Sequence, residues 1–438
     1  MSLTLSVIGT GYLGTTHAAC MASLGFDVIG IDTDSEKIAS LNRGELHVYE
    51  PGLEELLKEQ LASGRLTFTT DISKIAQAEV HFICVGTPQV ENSLAADLTF
   101  VQTAFQSLLP HLKTGSLIVG KSTVPVGTAQ SLATQLSTQA PHAELAWNPE
   151  FLREGFAVED TLRPNRVVVG VQSERAENVL KEVFASLIEA NIPWITADLP
   201  TSELVKVAAN AFLATKISFI NAMAEICEVS GADVTVLAKS IGYDPRIGHR
   251  FLQAGIGFGG GCLPKDLRAF MARADELGTK ESLAFLAEID AINLRARQRV
   301  IPLVTSLLNG VVADKKIAIL GAAFKPNSDD VRDSPALDIA SILFSQGAQV
   351  SIHDPKAISN ARSRFPNFDY SETVEACVDQ ADIVLHLTEW AQYREIDPLE
   401  LKTLVRGSII VDGRNALDRD LWRSAGWKFH SVGRKTDG

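Results

Sequence analysis

The sequence is poor in cysteine and shows no metal-ligand spacing, and both absences exclude classes of protein. Its 438 residues include nine histidines, which are scattered along the chain, and five cysteines without a Cys-x-x-Cys pair. The cysteines are Cys20, Cys84, Cys227, Cys262 and Cys377. Such a long chain with an odd, widely spread set of thiols does not resemble a disulfide scaffold and fits a reducing cytoplasm. We also expect no metal site.

Positive charge is not in excess either. Lysine and arginine total 40 against 53 acidic residues, a formal net charge of −13. Proteins that bind nucleic acid or anionic membranes draw affinity from excess cations, so we expect neither partner. A small anionic ligand held by a few well-placed cations remains compatible with this charge.

The chain also lacks the usual targeting signals. Its first residues show neither the basic region nor the cleavage site of a secretory signal. The most apolar long segment, 205–226, carries Lys206, Asn210, Lys216 and Glu225. We therefore expect no run of about 20 apolar residues that could span a membrane, and a cytoplasmic location.

Short β-branched runs alternate with helical patterns from the start of the chain. The runs that predict strands are 5–8, 27–31, 80–85, 116–120 and 167–171. Helical patterns such as 14–24 and 34–43 lie between them. This alternation predicts βαβ units and a mainly parallel sheet.

The pattern becomes helical near residue 200 and returns to strands after residue 310. Thr201 and Ser202 are candidate N-caps for a helix that reaches about Val229, and Pro302 with Asn309-Gly310 is predicted to end the helical stretch. Further helices are predicted at 234–240, 265–277 and 281–300, and later strands at 316–320, 349–352, 383–386 and 408–411. At about 100–200 residues per domain, the chain has room for two or three.

The predicted fold class is therefore α/β, with two Rossmann-like doubly wound parallel-sheet domains joined by a central helical domain. The expected boundaries are 1–200 for the first α/β domain, 201–301 for the helical domain and 302–438 for the second α/β domain. Residues 435–438 are expected to be a frayed tail.

A glycine-rich loop follows the first predicted strand and opens a helix. It contains Gly9, Gly11, Tyr12, Leu13 and Gly14 in the order Gly-Thr-Gly-Tyr-Leu-Gly. The first glycine permits a tight turn, the second lets the backbone approach a pyrophosphate, and the third allows close packing of helix and strand. Asp32 ends the next strand, where a carboxylate can bind an adenosine ribose and disfavours a 2′-phosphate. The loop therefore predicts NAD as the cofactor.

The second α/β domain lacks this loop, because Gly321 is followed by Ala-Ala-Phe-Lys. We expect it to hold no second dinucleotide. A nucleotide gripped by side-chain cations is the natural alternative.

Cys262 lies in the most unusual stretch of the sequence, 257–266, which reads GFGGGCLPKD. Three glycines leave its backbone open to a ligand, and the following helix start and Lys265 would stabilise a thiolate. We interpret Cys262 as a nucleophile. The other four cysteines are assigned to packing. A thiolate beside a hydride acceptor can convert a primary alcohol to an acid through an aldehyde, a thiohemiacetal and a thioester, with two NAD per substrate. That chemistry needs an acid–base group, an oxyanion cation and a water activator.

Ordered motifs along essentially the whole chain resemble the UDP-glucose/GDP-mannose dehydrogenase family. They are GTGYLG at 9–14, VGTP at 85–88, STVPVGT at 122–128, NPEFLREG at 148–155, YDPRIG at 243–248, FGGGCLPKD at 258–266, FKPNSDDVRDSP at 324–335 and DGRN at 412–415. One departure is Gly261, where the family usually has serine. It removes no group that the chemistry requires.

The resemblance implies oxidation of UDP-glucose to UDP-glucuronate, with Cys262 as the nucleophile. Lys206 and Asn210, one helical turn apart, would steady the oxyanion, Asp266 with Thr123 would hold the water that acts as base, and Glu150 would aid thioester hydrolysis. Further implied NAD contacts are Lys37, Thr87, Thr123, Glu154, Lys265 and Arg332. Implied substrate contacts are Glu150, Phe151, Leu152, Arg153, Lys206, Asn210, Arg246, Phe251, Leu252, Gln253, Ala254, Gly255, Gly259, Phe324, Lys325 and Arg414. Arg246 would reach a neighbouring subunit's substrate, which implies a homodimer with the long helix at its interface.

Alternatives remain open at this stage. The same mechanism could act on GDP-mannose or UDP-N-acetylmannosamine. A two-electron hydroxyacid dehydrogenase shares the NAD domain and helical middle but needs no cysteine. A catalytically dead sugar-nucleotide sensor would not need Cys262, Lys206, Asn210 and Asp266 together.

Overall fold

The computed structural model describes residues 3–435 and separates into two compact units. One comprises Met1–Ala209 with Arg268–Gly278, and the other comprises Asn210–Leu267 with Thr279–Gly438. The last three residues of the predicted tail lie outside the described residues.

The first unit is built on an eight-stranded sheet in the order β3-β2-β1-β4-β5-β6-β7-β8. Its strands are β1 Thr4–Ile8, β2 Asp27–Ile31, β3 Leu66–Thr69, β4 Val80–Ile83, β5 Leu117–Gly120, β6 Glu144–Trp147, β7 Val167–Gly170 and β8 Trp194–Ala197. All neighbours pair in parallel except β6 and β7, which meet antiparallel at Trp147 and Gly170. The carboxyl ends of β1, β4, β5 and β6 therefore open at one edge, where ligands bind in doubly wound sheets.

Helices cover both faces of this sheet, because successive strand residues point to opposite sides. Leu117 and Val119 of β5 belong to one apolar cluster, whereas Ile118 belongs to the other. The helices are α1 Tyr12–Ser23, α2 Ser35–Asn42, α3 Leu53–Ala62, α4 Thr99–Leu108, α5 Thr128–Gln139, α6 Ala157–Leu162, α7 Glu174–Val183 and α8 Ala185–Glu189.

Two helices cross the boundary between the units: α9 Leu199–Ser230 and, after α10 Val234–Gly242, α11 Leu263–Glu276. The predicted caps of α9 are wrong, since the helix begins at Leu199 and the Asp198 side chain accepts the Thr201 amide at 2.7 Å. A carboxylate at that position satisfies an amide that has no helical partner, and Thr201 and Ser202 then fall inside the helix.

Helix α9 is long and apolar enough to cross a membrane by length and composition. The expectation that no segment meets that test is therefore wrong. Slightly under half of its most apolar window is buried within the protein. A core helix of a water-soluble protein passes the same test.

The second unit is built on a six-stranded sheet in the order β11-β10-β9-β12-β13-β14, with every pair parallel. Its strands are β9 Lys316–Leu320, β10 Gln349–His353, β11 Asp369–Tyr370, β12 Ile383–His386, β13 Ile409–Asp412 and β14 Lys428–Ser431. Its remaining helices are α12 Phe285–Gln298, α13 Val300–Leu307, α14 Pro335–Ser345, α15 Ile358–Arg364, α16 Val374–Val378, α17 Ala391–Arg394, α18 Pro398–Lys402 and α19 Arg419–Ser424. One large apolar core cluster includes Ile319 of β9 and Leu337 of α14.

The predicted fold class is confirmed: two Rossmann-like sheets with a helical stretch between them in the chain. One detail of the helical stretch is wrong. Pro302 does not end it but lies in the first turn of α13, where a missing backbone N–H breaks no helical hydrogen bond.

Candidate active site

The loop between β1 and α1 has the backbone that its three glycines predict. Gly9 adopts a φ of +88°, and a Cβ at Gly14 would lie 1.8 Å from the Gly9 carbonyl oxygen. A Cβ at Gly11 would meet none of the described atoms within 4 Å. Gly9 and Gly14 thus serve the turn and the packing, and the open space at Gly11 beside the start of α1 fits a pyrophosphate.

Asp32 follows β2 beside this loop. Its Oδ2 accepts the Thr10 amide at 2.8 Å and lies 3.1 Å from the Lys37 ammonium. Burial would raise the pKa of Asp32, but hydrogen bonds from the Thr10 and Asp34 amides and from Lys37 outweigh it, and the pKa is lowered. An ionised, partly exposed carboxylate at this edge fits a ribose, so the predicted NAD residues match the group.

Tyr12 and Leu13 begin α1, and Tyr12 contacts a residue that the sequence did not single out. Its hydroxyl donates to the buried Glu50 carboxylate, which also accepts the amides of Gly155 at 2.6 Å and Ala157 at 2.7 Å. Burial and Glu50 raise the pKa of Tyr12. Glu50 therefore fixes the segment that holds the half-buried Glu154.

Two predicted site threonines meet where β4 and β5 end. The Thr87 hydroxyl donates to the Thr123 carbonyl at 2.8 Å, and the Ser122 hydroxyl donates to the Val85 carbonyl at 2.7 Å. These bonds hold the VGTP and STVPVGT loops together.

Glu150 and Lys206 form a buried ion pair in the first unit. Their side chains are 12% and 6% exposed, and the Glu150 Oε1 lies 3.1 Å from the Lys206 Nζ. The Lys206 ammonium is also 5.7 Å from the centroid of the Phe151 ring, and Glu150 accepts the Leu152 amide at 2.9 Å. A buried carboxylate beside a buried ammonium can exchange protons and stabilise a developing oxyanion.

Arg153 points its guanidinium to a carboxylate of its own unit. It makes a two-pronged contact with Asp160, at 2.8 and 2.7 Å, and is exposed. Its predicted substrate contact stays a prediction.

Glu203, one turn before Lys206 on α9, is a residue that the sequence analysis did not single out. It is 1% exposed, and its carboxylate accepts the amides of Gly127 at 2.7 Å and Ala129 at 2.6 Å at the start of α5. Burial raises the pKa of Glu203 to about 7, against the lowering effect of these amides and of Arg273. Glu203 therefore joins α9 to the helix that follows Thr123.

In the second unit, Cys262 is exposed and precedes α11. The Asp266 amide donates to the Cys262 carbonyl at 2.9 Å, so both lie in one helical turn. The Asp266 carboxylate, only 2% exposed, accepts from the Asn210 amide at 2.7 Å and from the Lys265 ammonium at 2.6 Å. The structure thus brings Asn210 and Lys265 to the turn that contains Cys262 and Asp266, and their catalytic roles stay predictions.

The other four cysteines differ from Cys262 in exposure and acidity. Cys20, Cys84, Cys227 and Cys377 are buried. Burial raises the pKa of each, to about 12 for Cys20 and Cys84 and about 11 for Cys377. A buried thiol with a raised pKa is a poor nucleophile, which leaves Cys262 as the candidate.

The three glycines before Cys262 each face a different neighbour. A Cβ at Gly259 would lie 2.1 Å from the Asp333 carbonyl oxygen, and one at Gly260 would lie 2.7 Å from the Phe324 ring. A Cβ at Gly261 would lie 2.3 Å from the Arg332 guanidinium carbon. The loop therefore packs closely on the segment after β9.

Arg414 is 12% exposed and directs its guanidinium at backbone carbonyls. It donates to Leu387 at 2.8 Å, Gly257 at 2.9 Å and Phe324 at 3.3 Å. It therefore connects three loops at the carboxyl edge of the second sheet. The Lys325 ammonium lies 5.4 Å from the Phe324 ring centroid at the same edge.

The segment 251–255 approaches this edge through its backbone. Phe251 has a φ of +64°, Leu252 and Ala254 are buried, Gln253 is exposed, and the Gly255 amide donates to Asn221 at 2.8 Å. The exposed Arg246 pairs with Asp244 near the end of α10. The described residues contain no group of three or more His, Cys, Asp or Glu that could hold a metal ion.

Comparison with known proteins agrees with this geometry. Three family models match the chain in order. They are described as the NAD binding domain of the UDP-glucose/GDP-mannose dehydrogenase family, at 3–188, its central domain, at 200–295, and its UDP binding domain, at 318–419. The chain belongs to the UDP-glucose/GDP-mannose dehydrogenase family. The resemblance inferred from the motifs is thereby confirmed, as is the NAD-binding character of the first α/β region.

The chain is 41% identical to the UDP-glucose 6-dehydrogenase TuaD of Bacillus subtilis, over 98% of this chain and 93% of that protein. A UDP-glucose dehydrogenase structure from Pyrobaculum islandicum has a TM-score of 0.91 and 36% identity, covering 99% and 98% of the two chains. A UDP-D-ManNAc dehydrogenase structure from Pyrococcus horikoshii has a TM-score of 0.88 and 28% identity, covering 99% and 100%.

Proposed function

We propose that the protein oxidises UDP-glucose to UDP-glucuronate with two NAD per turnover. The observation that carries the proposal is the exposed Cys262 at the start of α11, in a turn with Asp266, while every other cysteine is buried with a raised pKa. Family membership and relatives named UDP-glucose dehydrogenases support the choice of substrate.

The overall reaction consumes one alcohol, two NAD⁺ and one water and yields one carboxylate, two NADH and three protons. The Gly9–Gly14 loop and Asp32 would hold NAD, which would supply the hydride acceptor for both oxidations. The site would also include Lys37, Thr87, Glu154, Lys265 and Arg332.

The protein's own groups handle the protons and the covalent step. In the first oxidation a water held by Asp266 and Thr123 takes the proton of the C6 hydroxyl. The Cys262 thiolate adds to the aldehyde carbon, and the resulting thiohemiacetal is oxidised to a thioester. Lys206 and Asn210 stabilise the oxyanions, and Glu150 guides the water that hydrolyses the thioester and releases the thiol.

The sugar nucleotide would contact residues from several segments of the chain. We propose as its contacts Glu150, Phe151, Leu152, Arg153, Lys206, Asn210, Phe251, Leu252, Gln253, Ala254, Gly255, Gly259, Phe324, Lys325 and Arg414, with Arg246 acting on a second subunit. The UDP binding description of the model matched at 318–419 supports a UDP-sugar. The division at residues 200 and 301 into NAD-binding, helical and UDP-sugar-binding domains belongs to the same proposal.

We propose a cytoplasmic homodimer that includes α9 in its interface. Phe212, Phe219 and Ile226 recur every seven residues on that helix and are 67%, 47% and 55% exposed. Seven residues are close to two helical turns, so the three side chains form one apolar stripe. A second copy of the chain would cover it, which explains an exposed apolar stripe without a membrane.

The reaction is tested by the ratio of NADH formed to UDP-glucose consumed. Two NADH per UDP-glucose are expected, with UDP-glucuronate as the product. Cys262→Ala should form no acid, and native-state alkylation with iodoacetamide should label Cys262 alone. One NADH with an aldehyde or ketone product would instead indicate a two-electron dehydrogenase. Activity only with GDP-mannose or UDP-N-acetylmannosamine would contradict the proposed sugar, and no turnover of any sugar nucleotide would indicate a sensor.

A further inference from the structure

Lys121 is a buried cation of the first unit that the proposed reaction does not use. It is 8% exposed and follows β5, and burial lowers the pKa of its ammonium. Its Nζ donates to the Asn148 Oδ1 at 2.7 Å and lies 5.9 Å and 6.0 Å from the ring centroids of Phe82 and Phe184. The hydrogen-bond acceptor is thus a neutral amide, which repays little of the cost of desolvating a charge.

Lys121 and Asn148 form a hydrogen-bonded pair, and each lies shortly before a proposed catalytic residue in the sequence. Gly120 and Trp147 are register partners at the ends of β5 and β6, so Lys121 and Asn148 are the next residue of each strand. The Asn148 amide donates to the Gly120 carbonyl at 2.8 Å, which continues the ladder by one bond. Thr123 and Glu150 each follow two residues later.

Asn148 also reaches the next strand, because its Nδ2 donates to the Val168 carbonyl of β7 at 2.8 Å. The Lys121–Asn148 bond therefore fixes β5, β6 and β7 to one another at the edge where the Thr123 and Glu150 loops leave the sheet. A displacement there would move Thr123 relative to Glu150.

The charge of Lys121 also interacts electrostatically with the Glu150 carboxylate. The titratable groups around Lys121 are His17 of α1, Cys84 after β4 and Glu150 after β6. Burial lowers the pKa of His17 and raises that of Cys84 to about 12, so both are neutral near pH 7. Glu150 is therefore the group whose negative charge Lys121 attracts, and Lys206 faces the same carboxylate at 3.1 Å.

We propose that Lys121 and Asn148 are positioning residues, a buried pair that holds Thr123 and Glu150 in register and whose positive charge attracts the Glu150 carboxylate. The proposal rests on the proposed function. A structural role alone does not account for the lysine, because methionine fills a similar volume without a buried charge. We therefore expect Lys121 to lower the stability of the protein and to raise kcat.

Lys121→Met tests this inference by separating stability from turnover. The variant is expected to keep or raise Tm, to lower kcat at least tenfold and to leave the KM for UDP-glucose within threefold. Loss of the charge should also move the acidic limb of the kcat–pH profile upward by at least half a pH unit. Acid-quenched samples should show more thioester on Cys262 by mass spectrometry, since hydrolysis depends on Glu150.

Three further variants separate the hydrogen bond from the charge. Lys121→Gln restores a donor to Asn148 and should recover part of kcat while the acidic limb stays displaced. Asn148→Ala should lower kcat like Lys121→Met. Lys113→Met removes an exposed lysine of the same unit and should change neither kcat nor the pH profile.

Wild-type turnover of UDP-glucose is measured first and tests the proposed function alone. With normal wild-type turnover, an unchanged kcat and pH profile in Lys121→Met would overturn the positioning pair and leave the proposed function standing. A fall in Tm with an unmoved pH profile in both Lys121 variants would assign Lys121 to stability and would also overturn it.

Discussion

Two aspartates occupy equivalent positions in the two sheets but differ in burial and in hydrogen-bond donors. Asp32 follows β2 and Asp354 follows β10, each beside the loop of the neighbouring first strand of its sheet. Asp354 is 2% exposed and accepts the amides of Ala322, Ala323, Lys356 and Ala357 and the indole N–H of Trp390. Asp32 accepts fewer protein donors and is half-buried. The partly exposed Asp32 carboxylate is therefore the one that suits the proposed ribose contact, whereas the Asp354 carboxylate is enclosed by protein donors.

The loops beside these aspartates explain the contrast. In the first sheet α1 begins at Tyr12, so only residues 9–11 separate the strand from the start of the helix. In the second sheet residues 321–334 separate β9 from α14, and this loop carries Phe324, Lys325 and Arg332. A short loop suits recognition by backbone dipoles, and a long one suits recognition by side-chain cations.

The largest expected effect comes from Gly14→Ala in the short loop. Its Cβ would lie 1.8 Å from a backbone oxygen, so β1 and α1 must separate, at a cost of about 3 kcal/mol or more. Gly11→Ala is the matched control, since its Cβ enters open space. It should unfold like the wild type in urea but bind NAD about tenfold more weakly, because the methyl occupies the pyrophosphate position. Equal stability of Gly14→Ala and Gly11→Ala would contradict the assignment of Gly14 to packing and Gly11 to pyrophosphate binding.

Asp354→Asn should destabilise the protein without affecting NAD. An amide nitrogen would face backbone N–H donors in a buried site, at a cost of about 2–4 kcal/mol. Urea unfolding and NAD titration measure the two effects. A weaker NAD affinity with unchanged stability would show that Asp354 binds a dinucleotide after all.

Asp32→Asn should weaken NAD binding without lowering the stability of the protein. Loss of the ribose carboxylate should weaken NAD binding about tenfold and reduce discrimination against NADP, because the repulsion of a 2′-phosphate is removed. UDP binding should not change. Calorimetric titrations with NAD, NADP and UDP provide the measurement, and unaltered NAD affinity is the contradicting result.

A gradual effect concerns the pH dependence of stability in the first unit. Burial raises the pKa of Glu203 from 4.5 to about 7, so the folded state keeps a proton that the unfolded state has lost between those values. Stability should therefore fall as pH rises from 4.5 to 7, by up to roughly 3 kcal/mol. Glu203→Gln should flatten this slope in urea unfolding at a series of pH values. An unchanged slope would assign the dependence to other groups.

The sequence predicts the central strands and the Cys262 turn because their signals are local. Glycine spacing gives the loop at 9–14, and four-residue spacing places Asp266 under Cys262. Strands β3, β8, β11 and β14 were not predicted, and each contains exposed residues that interrupt an apolar run. Strand β6 was also not predicted.

Three buried charges were also beyond prediction. Glu50 meets amides more than 100 residues away, Glu203 caps a helix more than 70 residues earlier, and Lys121 finds its acceptor 27 residues later. In the sequence each looks like an ordinary charged residue, because its partners come close only in the folded chain. The carbonyl acceptors of Arg414 were likewise not predicted, and its implied substrate contact stays a prediction.

The central claim is that the two α/β regions bind different nucleotides, and calorimetric titration of the full chain tests it most directly. The account predicts one NAD site and one UDP site per chain, each saturating whether or not the other ligand is present, with Asp32→Asn weakening NAD alone. Two NAD per chain, or displacement of NAD by UDP, would contradict it.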